Sequence, residues 1–418
     1  MLTPRLALSR RVTAALDASP SRIPVLLGGC GSGRSTVLQQ LRERIGRTSA
    51  QFIDVERIAT TPERFLRAAT AASPFPFATA AGPGGIVGGA RGAFDRTIEF
   101  FTKARSSAGE PALFLLDEFL ELRTFESFPG LRRVLREFAD AIAASANRFV
   151  LTSRYTARTL RLLRDLSSRF EVVHVPGMTT EDVADVLAPL HAPRGMPRDA
   201  GSGRGAAASG ASHDAEYLAR TVLALTDGCP AYVRSMASEL AELADQGRDA
   251  RSAAAAPLHD PISALSALLA PAGRLADRCG YCYELRLHRA RGYGALKAIL
   301  EILAEEEGLT LTEISHRMER TPGSTKDYLS WLEDVDLVVS NQKRYRFVDP
   351  LLRVWVRLHC RATAPTDDDL AREVHRYALP RLPASEPKAE PPQSAPQAEP
   401  AFAMAGSPQS GGGIIEID

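Results

Sequence analysis

The chain has 418 residues, with 51 Lys and Arg against 50 Asp and Glu, giving a formal net charge of +1. That balance excludes a generally basic nucleic-acid coat and a strongly acidic solubilising protein, so any charged surface must be local. A hydrophobic share of 44% and a charged share of 24% at this length fit a globular protein of two or three domains with a sizeable core.

In chain order, the spacing of Leu6, Leu8, Val12 and Leu16 predicts an amphipathic helix. Ile23 to Leu27 is a short apolar run that predicts a buried strand. Gly28-Gly29-Cys30-Gly31-Ser32-Gly33-Arg34-Ser35-Thr36 follows, and then Val37, Leu38 and Leu41 recur at helical spacing. Further strands are predicted at 51–55, 112–116, 148–153 and 171–175, and Leu131, Val134, Leu135, Phe138 and Ile142 form the stripe of a helix between two of them. Strands alternating with helices predict an α/β fold with a parallel sheet covered on both faces. The Gly-, Ala- and Pro-rich stretch 74–92 reads as a flexible loop inserted in that domain.

From Thr180 the pattern turns helical, at 181–190, 216–225 and 232–244. A Gly/Ala-rich stretch, 193–212, reads as a disordered insertion, and 248–261 as a second soft segment. Between Gly292 and Arg361, three helical patterns precede two short strands joined by Asn341-Gln342-Lys343, the plan of a winged helix-turn-helix. After Leu382 the chain is Pro-, Ala- and Glu-rich and cannot build a core. It ends in an apolar-acidic peptide with Ile414, Ile415 and Ile417, which fits a docking motif for a protein partner as well as it fits an inert terminus. The expected domains are 1–178, 179–291, 292–379 and a disordered tail, 380–418.

The five cysteines form no disulfide framework. Cys279 and Cys282 have CxxC spacing, but no second pair or nearby histidines complete a zinc site, so they read as free thiols. No apolar run approaches the ~20 residues of a membrane span, and the N-terminal stretch lacks the long apolar segment of a signal peptide. A cytoplasmic protein is expected.

Gly28 to Ser35 matches the phosphate-loop pattern G-x-x-x-x-G-K-[ST] at every fixed position but one. Its glycines let successive backbone N–H groups turn inward and cradle phosphate oxygens, and Ser35 would place its hydroxyl on Mg²⁺. Arg34 stands where the pattern has lysine. It keeps the charge that supports binding, but it is wider and forked where lysine is a compact point charge. A second motif, Leu113-Phe114-Leu115-Leu116-Asp117-Glu118, is an apolar strand opening onto two acids. Asp117 suits the water shell of Mg²⁺, and Glu118 suits polarisation of an attacking water.

With these two motifs, most of the stretch from Arg22 to His359 resembles the AAA+/STAND class of P-loop ATPases, in particular the archaeal-type ATPases and their origin-recognition relatives. The resemblance implies ATP and Mg²⁺ as ligands, Walker A at Gly28 to Thr36 and Walker B at Asp117 and Glu118. It implies a sensor within Thr152-Ser153-Arg154, with Ser153 the candidate, and an arginine finger at Arg169 acting on a neighbouring copy in a homo-oligomer. It also implies a helical lid in which Pro230 opens a helix over the nucleotide and Arg234 is a second sensor. A closing winged helix is implied around Tyr345 to Trp355. The Arg-Glu box usual ahead of the first strand is not recognisable around Ser9-Arg10-Arg11.

DNA contact and a protein-binding or intramolecular role both remain open for the C-terminal unit. Lys326, Lys343, Arg344 and Arg346 offer positive charge there, but 292–361 carries 10 basic against 11 acidic residues. The denser cluster lies between Arg123 and Arg169, with 10 arginines against 4 acids. It includes Arg132, Arg133, Arg136, Arg154, Arg158, Arg161 and Arg164, which suit a DNA path, acidic neighbours or a solvated face. The expected function is an ATPase coupling nucleotide to assembly and partner engagement. The alternative is a non-hydrolysing nucleotide-dependent adaptor or transcription regulator that recruits a partner through its tail.

Overall fold

Five short, mostly apolar strands form the central sheet, and the three inner ones are buried almost throughout. The computed structural model describes residues 6–77, 88–191, 207–249, 260–288, 290 and 292–383. The strands are β1 (Ile23–Leu27), β2 (Ala50–Asp54), β3 (Leu113–Asp117), β4 (Arg148–Ser153) and β5 (Phe170–His174). They pair in the order β2-β3-β4-β1-β5, every pairing parallel. β4 therefore lies between β1 and β3, and its C-terminal end separates the glycine loop from the acid pair. In such sheets the ligand crevice lies beyond the carboxyl ends of the strands.

Seven helices cover this sheet: α1 (Leu6–Leu16), α2 (Arg34–Ile45), α3 (Val55–Ile58), α4 (Pro62–Ala71), α5 (Gly89–Lys103), α6 (Val134–Ala144) and α7 (Thr156–Leu163). Strand side chains alternate between faces. Leu113 and Leu115 join Leu8, Val12, Leu16, Val37, Leu38 and Leu41 on one face. Phe114 and Leu116 join Phe65, Phe94, Phe100, Phe101, Phe138 and Phe149 on the other. In that second layer Phe114 and Phe149 stack at 5.5 Å, and Phe101 meets Phe114 edge-on at 4.9 Å.

Two sequence expectations change here. The segment 74–92 was expected to be loop, but α5 begins at Gly89 because Phe94, Phe100 and Phe101 anchor it in the core; 78–87 lie outside the described residues. The insertion 193–212 was expected to be disordered, but helix α9 (Ala207–Thr226) takes its last six residues; 192–206 lie outside the described residues.

The helical stretch continues with α8 (Thr180–His191), α9, α10 (Pro230–Asp249), α11 (Pro261–Leu269) and α12 (Arg274–Leu287). Asp260 caps α11 through the Ile262 N–H, with Pro261 at its first position. Then come α13 (Tyr293–Glu305), β6 (Leu309–Thr310), α14 (Leu311–Arg317), α15 (Pro322–Asp334), β7 (Val338–Asn341) and β8 (Arg344–Phe347). The last three strands form an antiparallel sheet in the order β6-β8-β7. Thr310 and Glu313 make a capping box at α14, and Thr321 caps α15 ahead of Pro322. Gln342 and Lys343 both have positive φ, 50° and 64°, as a two-residue turn needs if its twist is to match the strands. Helices α16 (Pro350–His359) and α17 (Asp367–Ala378) complete the described chain. Residues up to Pro383 make one compact unit. The expected tail peptide with Ile414, Ile415 and Ile417 lies outside the described residues.

Among the described residues no helix is long and apolar enough to cross a membrane.

Candidate functional site

The glycine loop leaves β1 at its carboxyl end and enters α2 directly. Gly31 and Gly33 have φ of 80° and 88°, which side-chain-bearing residues rarely adopt. A methyl group on Gly31 would stand 2.7 Å from the Ala231 Cβ, so this glycine also permits close approach of α10. Gly31 accepts a hydrogen bond from the Ala231 N–H at 3.2 Å. Pro230 lies against Gly33 at 4.0 Å from the position a Cβ would take. A Cβ on Gly28 would meet the Ser32 hydroxyl at 2.8 Å. Helix α2 starts without a side-chain cap and without an acid in its first turn, so its end keeps the donors and partial positive charge that favour an anion.

Arg34 opens α2 and folds back across the loop. Its Nη1 donates to the Gly29 carbonyl at 2.8 Å and lies 3.4 Å from the Ser32 hydroxyl; its Nη2 donates to Glu118 Oε1 at 2.5 Å. The side chains of both Arg34 and Glu118 are 7% exposed. Glu118 follows β3 at φ 54°, which turns its carboxylate toward the loop. Its second oxygen accepts from the Arg154 backbone N–H at 3.0 Å and faces Arg154 Nε at 3.1 Å. Burial pushes the Glu118 carboxyl up, but the guanidinium groups of Arg34 and then Arg154 outweigh it and hold the carboxyl below the usual glutamate value. Arg154 also bonds Glu56, at the start of α3.

Asp117 is held differently. Thr152 donates to Asp117 Oδ1 at 2.5 Å and accepts from the Glu118 N–H at 3.0 Å. Burial raises the Asp117 carboxyl, and hydrogen bonds from Ser35 and Thr152 draw it partly back. The Ser35 hydroxyl and the Asp117 carboxylate therefore share one spot beside the loop. A hydroxyl and a carboxylate are the hard oxygen donors that suit Mg²⁺. The loop's own chemistry fits phosphate: the Nε atoms of Arg34 and Arg286 are buried without a hydrogen-bond partner.

The remaining sequence candidates are placed as follows. Ser153 is fully buried at the end of β4, its hydroxyl accepting from the Tyr155 N–H at 3.1 Å. Cys30 is half-buried within the loop. Arg234 is exposed on α10, away from this network. Arg169 donates to the carbonyls of Ser21, Ala143 and Ser145 at 2.9, 2.6 and 2.7 Å, so its guanidinium serves as a tether within its own chain. Lys326, Lys343 and Arg346 are exposed, as is Arg344, which reaches the Gly308 carbonyl at 2.6 Å.

Of the arginine cluster, Arg154 and Arg161 are committed to carboxylates of the same chain. Arg158 lies over the Tyr155 and Trp331 rings at 5.2 and 5.6 Å. Arg132 and Arg133 remain exposed just ahead of α6, and Arg136, exposed within it, lies 3.8 Å from Asp140. No metal cluster of His, Cys, Asp and Glu occurs among the described residues.

Four contributors to the site escape sequence reasoning: Glu56, Thr152, Arg154 and Arg286. Thr152 and Arg154 flank the predicted sensor, so their neighbourhood was marked even though their roles were not. Arg286 had no signal, because α12 was not anticipated. It is 4% exposed, and its Nη2 lies 3.9 Å from where a Gly29 Cβ would stand.

The fold and this loop define a P-loop ATPase fold. No protein-family model and no curated protein matches the chain. Among solved structures it is similar to a Walker-type ATPase of Pyrococcus abyssi, with a TM-score of 0.55 and 16% identity over 85% of this chain and 95% of that one. The likeness is one of fold, and it spans the helical region as well as the sheet.

Proposed function

We propose that the chain binds ATP with Mg²⁺ at Gly28 to Thr36 and uses it as a switch in the manner of the AAA+/STAND ATPases. The observation that carries this reading is the convergence of Ser35 and Asp117 beside the uncapped start of α2. The glycine loop and α2 would hold the phosphates and Arg34 would neutralise them. Ser35 and Asp117 would hold the metal, whose chemistry is to offset charge on the phosphates. Glu118 would orient and deprotonate water, a task that requires a carboxylate oxygen free of Arg34 and Arg154. Turnover is therefore slow until that grip loosens. In this reading α8 to α12 act as the lid, with Pro230 beside the nucleotide, and α13 to β8 as a winged helix.

The hold on Glu118 also favours the second reading, a nucleotide-dependent adaptor that does not hydrolyse. Calorimetric titration with Mg-ATP, paired with phosphate release, tests both. Saturable binding with slow release supports the ATPase. Binding without release, with release gained in Arg34→Lys, leaves only the adaptor. No binding removes both. Partner engagement and self-assembly belong to the same proposal. DNA binding that weakens with salt and is lost on combined Lys343→Ala and Arg346→Ala substitution would assign the winged helix as the reader.

A further inference from the structure

Helix α12 presents Cys279, Cys282 and Arg286 along one side, at i, i+3 and i+7. Arg286 marks where that side points, because its guanidinium stands against Gly29 of the phosphate loop. One turn earlier on the same side stands Cys282, and one turn before that Arg278, whose Nη1 lies 3.9 Å from where a Gly31 Cβ would stand, so Cys282 faces Cys30, the loop residue between Gly29 and Gly31. The other nearby thiols are engaged elsewhere. Cys229 points its sulfur at the Cys30 carbonyl oxygen, 3.8 Å away, and Cys279 lies 3.8 Å from the Tyr232 hydroxyl in the core. Cys30 is half-buried, whereas Cys282 is buried.

We propose that Cys30 and Cys282 form a peroxide-oxidisable thiol pair whose disulfide disables the phosphate loop. The nucleotide consequence rests on the reading of that loop given above; the disulfide itself does not. The two thiols have unequal roles. The contact with Cys282, then Arg286, Arg154 and Arg34, favours the Cys30 thiolate against burial, and holds it below the usual cysteine value. The same contact, with burial, keeps Cys282 protonated. A thiolate among arginines is the nucleophile, and its protonated neighbour is the resolving thiol.

The chemistry balances with a hydroperoxide as oxidant. The Cys30 thiolate attacks one peroxide oxygen, forming an S–O bond as the O–O bond breaks, and the other oxygen leaves as alcohol or water after taking up a proton. Cys282, losing its proton, then attacks the Cys30 sulfur. An S–S bond forms, the S–O bond breaks, and the hydroxyl leaves as water. Two thiols have given up two electrons, and one peroxide has accepted them. A disulfide needs sulfur atoms about 2.05 Å apart, so residue 30 is drawn toward α12. Its neighbours Gly29 and Gly31 must follow, and Gly31 is already packed against Ala231. The N–H groups that should converge on phosphate lose their alignment.

The test treats the full chain with stoichiometric hydrogen peroxide, then measures peptide linkage by mass spectrometry and affinity for a fluorescent ATP analogue. The expected product links tryptic peptide 23–34 to 279–286 through Cys30 and Cys282. Affinity should fall at least tenfold and return with dithiothreitol. Cys282→Ser should bind normally when reduced and, on oxidation, give a sulfenic acid at Cys30 that dimedone traps. If native chain yields no Cys30–Cys282 link, the pair is overturned, and that measurement depends on no variant. A link that leaves affinity unchanged overturns the switch. A reduced chain that binds no nucleotide removes the proposed function instead, and the linkage map then reads the thiol pair alone.

Discussion

Arg34 does something that lysine in its place does not: it spans the loop carbonyl of Gly29 and the Glu118 carboxylate at once. Lysine has one nitrogen and reaches one of them. Arg34→Lys should therefore release Glu118 from one of its two counter-charges. ATP turnover should rise about tenfold, equivalent to ~1.4 kcal/mol off the barrier, with affinity for ATP changed less than threefold. Phosphate release under saturating Mg-ATP reads it, and an unchanged rate would show that Arg34 does not restrain Glu118. Glu118→Gln has a second consequence. It leaves Arg34 and Arg154, both nearly buried, facing a neutral amide. Removing the charge from such a network costs about 3 kcal/mol, so the urea midpoint should fall together with turnover. A loss of turnover with an unmoved midpoint would mean the arginines find other partners. The loop and the acid pair were legible because each is written in consecutive residues. The grip on Glu118 was not, because Arg34, Glu56 and Arg154 come together only through the strand order.

The same contrast appears among the elements. Strands buried on both faces read as apolar runs, and β1 and β4 fall where the sequence places them. Helix α12 was missed because Cys-Gly-Tyr-Cys interrupts its apolar spacing. The structure gives the reason for that glycine: a Cβ at Gly280 would stand 3.1 Å from the Trp355 ring of α16. Helix α16 is in turn fixed to α17 by a two-pronged ion pair. Arg357 Nε donates to Glu373 Oε2 at 2.7 Å and Nη2 to Oε1 at 2.9 Å, and Nη1 reaches the Ala304 carbonyl of α13 at 3.0 Å. The Arg357 hydrogen bond is the main cause that holds the Glu373 carboxyl below its ordinary value of 4.5. A carboxyl lowered in the folded state binds fewer protons there than in the unfolded chain. Its stabilisation is thus complete above about 4.5 and is lost as pH falls through the lower folded value. Glu373→Gln should lose about 2 kcal/mol at neutral pH, because the buried guanidinium loses its two-pronged partner and keeps only Glu305 and the Ala304 carbonyl. Its stability should vary less with pH below 4.5 than that of the native chain. Urea unfolding at a series of pH values measures both, and parallel curves would remove the pair from the account.

At the scale of the whole molecule, the near-zero net charge conceals a local match of opposite signs. The arginine-rich segment after β4 meets acids at and just beyond the end of α15. Arg161 Nη1 lies 3.0 Å from Asp334 Oδ2, and Asp336 accepts the first N–H groups of α7, from Thr156 and from Ala157 at 3.2 Å. An aspartate just beyond α15 thus caps a helix that follows the parallel sheet. That helix begins two residues after Arg154, whose N–H holds Glu118. Asp336 has φ 52°, so glycine removes the carboxylate without straining the backbone, whereas alanine would confound the two. Asp336→Gly should cost about 1 kcal/mol of cap energy at α7, and amide exchange in 157–163 should quicken about fivefold. With the start of α7 loosened, the Arg154 N–H holds Glu118 less firmly, and turnover should rise two- to fourfold at unchanged ATP affinity. Faster exchange without faster turnover would confine Asp336 to stability. If both change together, the packing of α15 against α7 is coupled to the carboxylate that the chemistry needs.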